Sequence, residues 1–177
     1  MKIFKKITFL LLAVAFVSCG NDDDATPSFD LTNENIAGVY ELITFERDTE
    51  TTVTINGDTT TSNESFQGDS FDNTEIEFFT DRTIELSGGF RIVNRNDSND
   101  IEIVNFNDES GTFIPNNTTD TLVLTTTVPS FSGSFDVENL SNSGFIISNE
   151  ITMSEEGDLA TTSITINTTY TFSRIEE

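Results

Sequence analysis

Ser163-Ile164-Thr165-Ile166-Asn167-Thr168-Thr169-Tyr170-Thr171-Phe172-Ser173, near the end of the chain, carries the clearest strand pattern in the sequence. Ile164, Ile166, Thr168, Tyr170 and Phe172 fall on one side of a two-residue repeat, and Ser163, Thr165, Asn167, Thr169, Thr171 and Ser173 on the other. Successive side chains of a strand point to opposite faces, so this is a strand with one face on a core and one in water. The same split recurs in Ile76 and Phe78 against Glu75 and Glu77, and in Ile84 and Leu86 against Thr83 and Glu85. A polar outer face argues against an outer-membrane barrel, whose outward face is an apolar band about 25 Å tall.

Elsewhere in the chain, runs rich in Thr, Ile, Val and Phe alternate with turn-forming clusters. These are Asn56-Gly57-Asp58, Gly68-Asp69, Thr80-Asp81-Arg82, Ser87-Gly88-Gly89, Asn94 to Asp100, Asn107-Asp108-Glu109, Pro115 to Asn117, Pro129-Ser130, Asn139 to Gly144 and Glu155 to Asp158. The spacing predicts about ten short strands, close enough in sequence to pair as antiparallel neighbours. Asn56-Gly57 is the clearest hairpin signal, because both residues tolerate the positive φ of a type I′ turn. The runs Thr59 to Thr61 and Thr125 to Thr127 suit a strand face in water. Helix is confined to one turn after Thr32, whose hydroxyl is placed to cap it through Asn35. Such a meander hides its apolar face by closing into a barrel or by folding into a sandwich.

The first 18 residues read as a secretory signal: Lys2, Lys5 and Lys6 form a basic start and Ile7 to Val17 a short apolar run. That run is too short to span a bilayer, which takes about 20 apolar residues. Phe16-Val17-Ser18-Cys19-Gly20 then resembles the lipobox of bacterial lipoproteins, and Cys19 is the only cysteine in the chain. The resemblance implies cleavage before Cys19 and lipidation of its sulfur, with membrane attachment through acyl chains at about 0.8 kcal/mol per buried methylene. Asn21-Asp22-Asp23-Asp24 resembles the acidic export tag of lipoproteins that face the cell exterior. It implies an outer-membrane protein on the cell surface, with the periplasmic face as the alternative. Residues 19–29 form an acidic, proline-containing tether and residues 30–177 one domain.

Composition limits the chemistry. All three lysines lie in the signal, which leaves Arg47, Arg82, Arg91, Arg95 and Arg174 against 31 acidic residues, a formal charge of −26. Nucleic acid and anionic headgroups would be repelled. There is no histidine, which removes the commonest general base and transition-metal ligand, and lipidation removes the thiol. No cofactor is expected. An enzyme would have to use paired carboxylates or a calcium ion held by oxygen ligands.

Gly38-Val39-Tyr40 resembles the Gly-x-Trp motif of lipocalins with Tyr in place of Trp, following a short helical turn as it does there. Thr171-Phe172-Ser173-Arg174 resembles the last-strand segment whose arginine lies across that aromatic ring. The resemblance implies an antiparallel, up-and-down β-barrel of lipocalin-like type over residues 30–177, the sandwich being the alternative. It also implies closure of the barrel base by Tyr40 and Arg174 through a cation-π contact of about 0.5 to 2 kcal/mol.

Several groups are candidate sites. Leu42, Ile76, Phe78, Ile84, Leu86, Ile166, Tyr170 and Phe172 face inward and are core residues, or line a pocket for a small apolar ligand if the barrel is wide enough. Thr59 and Thr121, in Asp58-Thr59-Thr60 and Asp120-Thr121-Leu122, resemble acceptors of O-linked sugar in the same bacteria. Asn96-Asp97-Ser98-Asn99-Asp100 and Asn107-Asp108-Glu109 gather oxygen ligands as calcium sites do, and as ordinary Asx turns do too. Glu75 and Glu77 share one strand face about 7 Å apart, in reach of acid-base work but pointing away from the apolar side. The expected function is a non-catalytic, tethered barrel that binds or presents a small apolar ligand. The alternatives are an interaction protein docking a surface partner and, third, a glycan-active carboxylate enzyme.

Overall fold

The computed structural model describes residues 29–157 and 159–175. The signal, Cys19 and all of the tether before Phe29 lie outside these residues. Thr32 caps α1 (Asn33–Ile36), its Oγ1 accepting from the Asn35 N–H at 3.2 Å. Nine strands follow: β1 (Gly38–Ile55), β2 (Asp58–Phe78), β3 (Thr83–Asn94), β4 (Ile101–Asn105), β5 (Glu109–Asn116), β6 (Thr121–Thr125), β7 (Gly133–Ser141), β8 (Gly144–Glu156) and β9 (Ala160–Arg174). One 3-10 turn, Pro129–Phe131, lies between β6 and β7.

All nine strands belong to one antiparallel sheet, in the order β2-β1-β9-β8-β7-β6-β5-β3-β4, and β2 also pairs with β3. The pairings therefore return on themselves through eight strands. Chain neighbours pair almost throughout, and β1 meets β9 to join the ends. β4 and β5 run along the same edge of β3, with β4 opposite Gly89 to Val93 and β5 opposite Thr83 to Leu86. They act as one strand interrupted at Asn107 and Asp108, both left-handed at φ 46° and 55°. The all-β, antiparallel expectation is thus met.

Two expected breaks are instead absorbed inside long strands. The Gly68-Asp69 punctuation lies within β2, which continues through bulges with Ser70 and Asn73 at positive φ. Ser87-Gly88-Gly89 likewise lies within β3. Gly88 sits at φ +76°, and a Cβ there would stand 2.1 Å from the Asn73 carbonyl oxygen. Glycine permits the two backbones to approach this closely, so the strand bends without ending. The Asn56-Gly57 turn has φ 52° and 91° and joins β1 to β2 in two residues, as its sequence predicts.

Among the described residues twenty-two hydrophobic side chains are buried in one core, most of them placed there by strand alternation, with Leu31, Ile36, Phe106 and Phe131 added from outside the strands. Its centre is aromatic. Phe78 packs edge-on to Phe113 at 5.0 Å and Tyr40 to Phe145 at 4.9 Å, while Phe131 meets Tyr170 at 5.2 Å between ring centres. Edge-to-face contacts of this kind stabilise by about 0.5–1.5 kcal/mol beyond area burial. These side chains point into the ring interior.

β1, β2, β8 and β9 are longer than the ring requires. β2 leaves β3 beyond Phe66, and β8 leaves β7 beyond Ser148. The four outer segments stay paired with one another as far as Ile55, Asp58, Glu156 and Ala160. A four-stranded blade therefore projects from the ring, with β1 alone spanning about 60 Å from base to tip.

Candidate functional site

At the base, Arg174 gathers the elements that enter and leave the ring. Its guanidinium carbon lies 4.8 Å from the Tyr40 ring centre. Its Nη2 donates to the Tyr40 hydroxyl and, at 3.0 Å, to the Asn35 carbonyl at the end of α1. Gly38, at φ +142°, passes beneath, where a Cβ would stand 2.8 Å from Arg174 Nη1. Burial pushes the Tyr40 hydroxyl pKa up, and the adjacent Arg174 opposes part of that shift. Leu31 holds the segment before α1 against the β5–β6 turn, its N–H donating to Asn117 Oδ1 at 2.7 Å.

Of the eight inward residues expected to be core or to line a pocket, Leu42, Ile76, Phe78, Ile84, Leu86, Tyr170 and Phe172 are all buried. They pack against one another and against other core residues. Ile166 lies beyond the ring, half-buried on the blade. There it lines a cavity of about 170 Å³ at the root of the blade, with Phe45, Ile151, Pro129 and Tyr170 as its apolar walls. Arg47, Asn149, Ser130 and Ser132 supply polar atoms at the same cavity. Tyr170 fixes one wall by donating its hydroxyl to the Ser130 carbonyl, and its burial raises that hydroxyl's pKa strongly. The Asn149 Oδ1 is buried without a partner. Arg47 stacks 4.4 Å over the Phe66 ring and pairs with Glu102 at 3.2 Å. Residue alternation flagged Ile166 and Tyr170, but not Pro129 or Asn149, which only the fold brings beside them.

The blade is two-faced. Cross-strand partners Ile151, Ile166 and Thr49 share one face with Met153, Ile164 and Thr51, and with Val53 and Ile55. This apolar stripe continues the inward face of the ring, yet Ile55, Ile151 and Met153 are about half exposed, at 51%, 47% and 50%. The opposite face carries only hydroxyls, amides and acids. Thr52 pairs with Thr61 at 3.2 Å, Thr54 with Thr59 at 3.0 Å and Thr152 with Thr165 at 3.2 Å through their hydroxyls. Beyond Ser148, β8 has no strand on its outer side among the described residues.

The other candidates are dispersed. Thr59 is exposed on the hydroxyl face near the blade tip, whereas Thr121 opens β6, half-buried and 2.8 Å from the Thr119 hydroxyl. In the Asn96 to Asp100 turn, Asp97 Oδ1 accepts from the Asn99 N–H at 3.0 Å, and Asp100 accepts from Asn94. Among the described residues no three His, Cys, Asp or Glu side chains are gathered as a metal site would require. Glu75 and Glu77 border an outward groove of about 350 Å³ with Glu85 and Asp108. Comparison with protein-family models, with curated proteins and with solved structures gives no match. The fold defines the class: an all-β, antiparallel protein with an aromatic core and a projecting blade.

Proposed function

We propose that this chain is a lipid-anchored, non-catalytic envelope protein of lipocalin-like build that docks a protein partner through its blade. The observation that carries this reading is the blade itself. Four strands extend beyond the core and hold an apolar stripe in water, and the core gains nothing from residues that never reach it. Contiguous exposed apolar surface of this kind marks an interaction site. The lipobox-like segment around Cys19 supports the anchor. Since α1 and the start of β1 lie at the base, the blade then points away from the bilayer and toward outside partners.

A second reading, in which the protein binds a small apolar ligand, draws on the cavity bounded by Phe45, Ile151, Ile166 and Tyr170. At about 170 Å³ it holds a short aliphatic or single-ring molecule, below the 300 Å³ typical of drug-sized sites.

Mass spectrometry of native material tests both readings. Acyl chains on the Cys19 peptide, loss of membrane attachment in Cys19→Ser, and a protein partner retained after crosslinking are the expected results. A free Cys19 thiol removes the anchor. A co-purifying small molecule with no protein partner transfers the function to the cavity.

A further inference from the structure

We infer that the outer edge of β8, from Ile151 to Glu156, accepts an extended strand from a partner protein, and that this strand is basic and alternately apolar. The inference rests on the docking reading above and deepens it by naming the edge and the chemistry of its occupant. A strand with a neighbour on one side only turns every second N–H and C=O pair outward, ready for a further ladder. β8 pairs with β9 as far as Glu156, but with β7 only as far as Ser148.

Of the blade's two edges only this one carries apolar side chains. Its counterpart on β2, Asp58 to Glu64, offers only threonines, a serine, an asparagine and acids. Along β8, Ile151 and Met153 lie on the stripe beside Ile166 and Ile164, and the cavity at Asn149 and Ile151 opens where the edge begins. A strand added here gains main-chain hydrogen bonds along the edge. Its apolar side chains extend the stripe, and the cavity holds one anchoring residue.

Charge selects the occupant. Glu155 and Glu156 on this edge, and Glu150 just before it, are all exposed. A second copy pairing antiparallel about Met153 would set Glu150 opposite Glu156 twice, and like charges directly opposed across a ladder destabilise it. The formal charge of the chain, −23, adds to that repulsion. A strand with Lys or Arg facing Glu150 and Glu156 meets neither penalty.

The test uses the full chain and the synthetic peptide Lys-Val-Lys-Val-Lys-Val-Lys, read by calorimetry and by amide hydrogen exchange. The peptide is expected to bind and to slow exchange at Ile151 to Glu156. Ile151→Lys with Met153→Lys is expected to weaken it by roughly tenfold, whereas Thr60→Lys with Ser62→Lys, the same charge change on β2, leaves it within about twofold. N-methylation of alternate peptide bonds is expected to abolish binding. Equal weakening by both variant pairs, undiminished binding of the methylated peptide, or unprotected β8 amides would each overturn the inference. Protection of β8 that grows with protein concentration in the absence of peptide assigns the edge to a second copy and also overturns it. A native partner whose footprint lies elsewhere on the blade sinks this inference and leaves the docking reading standing.

Discussion

Arg174 covers Gly38 and the ring of Tyr40 together, so the last strand is fastened over the first at the point where the ring closes. One guanidinium serves three elements, because it also reaches the Asn35 carbonyl of α1. Gly38→Ala is expected to be costly, since φ +142° is unfavourable to any Cβ and the methyl would stand 2.8 Å from Arg174 Nη1. Strain of this kind amounts to about 1–3 kcal/mol. Urea denaturation is the measurement, and an unchanged midpoint would show that the guanidinium yields freely.

Stability is expected to fall on the alkaline side. Burial raises the Tyr170 pKa well above its ordinary value of 10.0, so the folded state keeps a proton that the unfolded chain gives up. The stabilisation is complete below about pH 10 and is lost progressively as pH climbs toward the folded-state value. The slope from this one residue is at most about 1.4 kcal/mol per pH unit. Tyr170→Phe should flatten the urea-midpoint profile above pH 10, while also loosening the Pro129–Phe131 turn that the hydroxyl holds.

Glu77 and Glu85 stand directly opposite one another on β2 and β3. Like charges so placed repel, and replacing one with a cation converts the pair into an attractive one. Glu85→Lys is expected to stabilise by about 0.2–1 kcal/mol, with the gain shrinking as salt rises. Thermal unfolding at low and high ionic strength checks both halves of the prediction.

Phe113 and Met153 provide a contrast between core and blade. Phe113 is fully buried and meets Phe78 at 5.0 Å, so Phe113→Ala should cost about 3–5 kcal/mol. Met153 is half exposed on the stripe, and Met153→Ala should change stability by less than about 0.5 kcal/mol. Equal losses at the two sites would mean that the blade is part of the cooperative core.

Local pattern made the strand content legible. Alternation in Ile164 to Phe172 and in Ile76 and Phe78, the Asn56-Gly57 turn and the Thr32 cap each depend on neighbours in sequence, and each is found where the residues place it. Breaks at Gly68 and Gly88 were not legible as bulges. A glycine signals a turn equally well whether the chain reverses there or bends, and the opposing strand decides which. Nor did alternation separate Ile166 from Tyr170, which share a face of one strand yet differ in burial.

That this is a β protein with one polar face follows from neighbouring residues, because a two-residue period is a local property of the chain. Where the apolar face is covered and where it is left open is set by long-range strand pairing. Coverage depends on β3 and β7 lying beside β2 and β8, and those strands diverge at Phe66 and Ser148. Cross-strand partners are set by ring closure across long stretches of chain, so the blade, its cavity and its open edge emerge only once the ends meet at Tyr40 and Arg174.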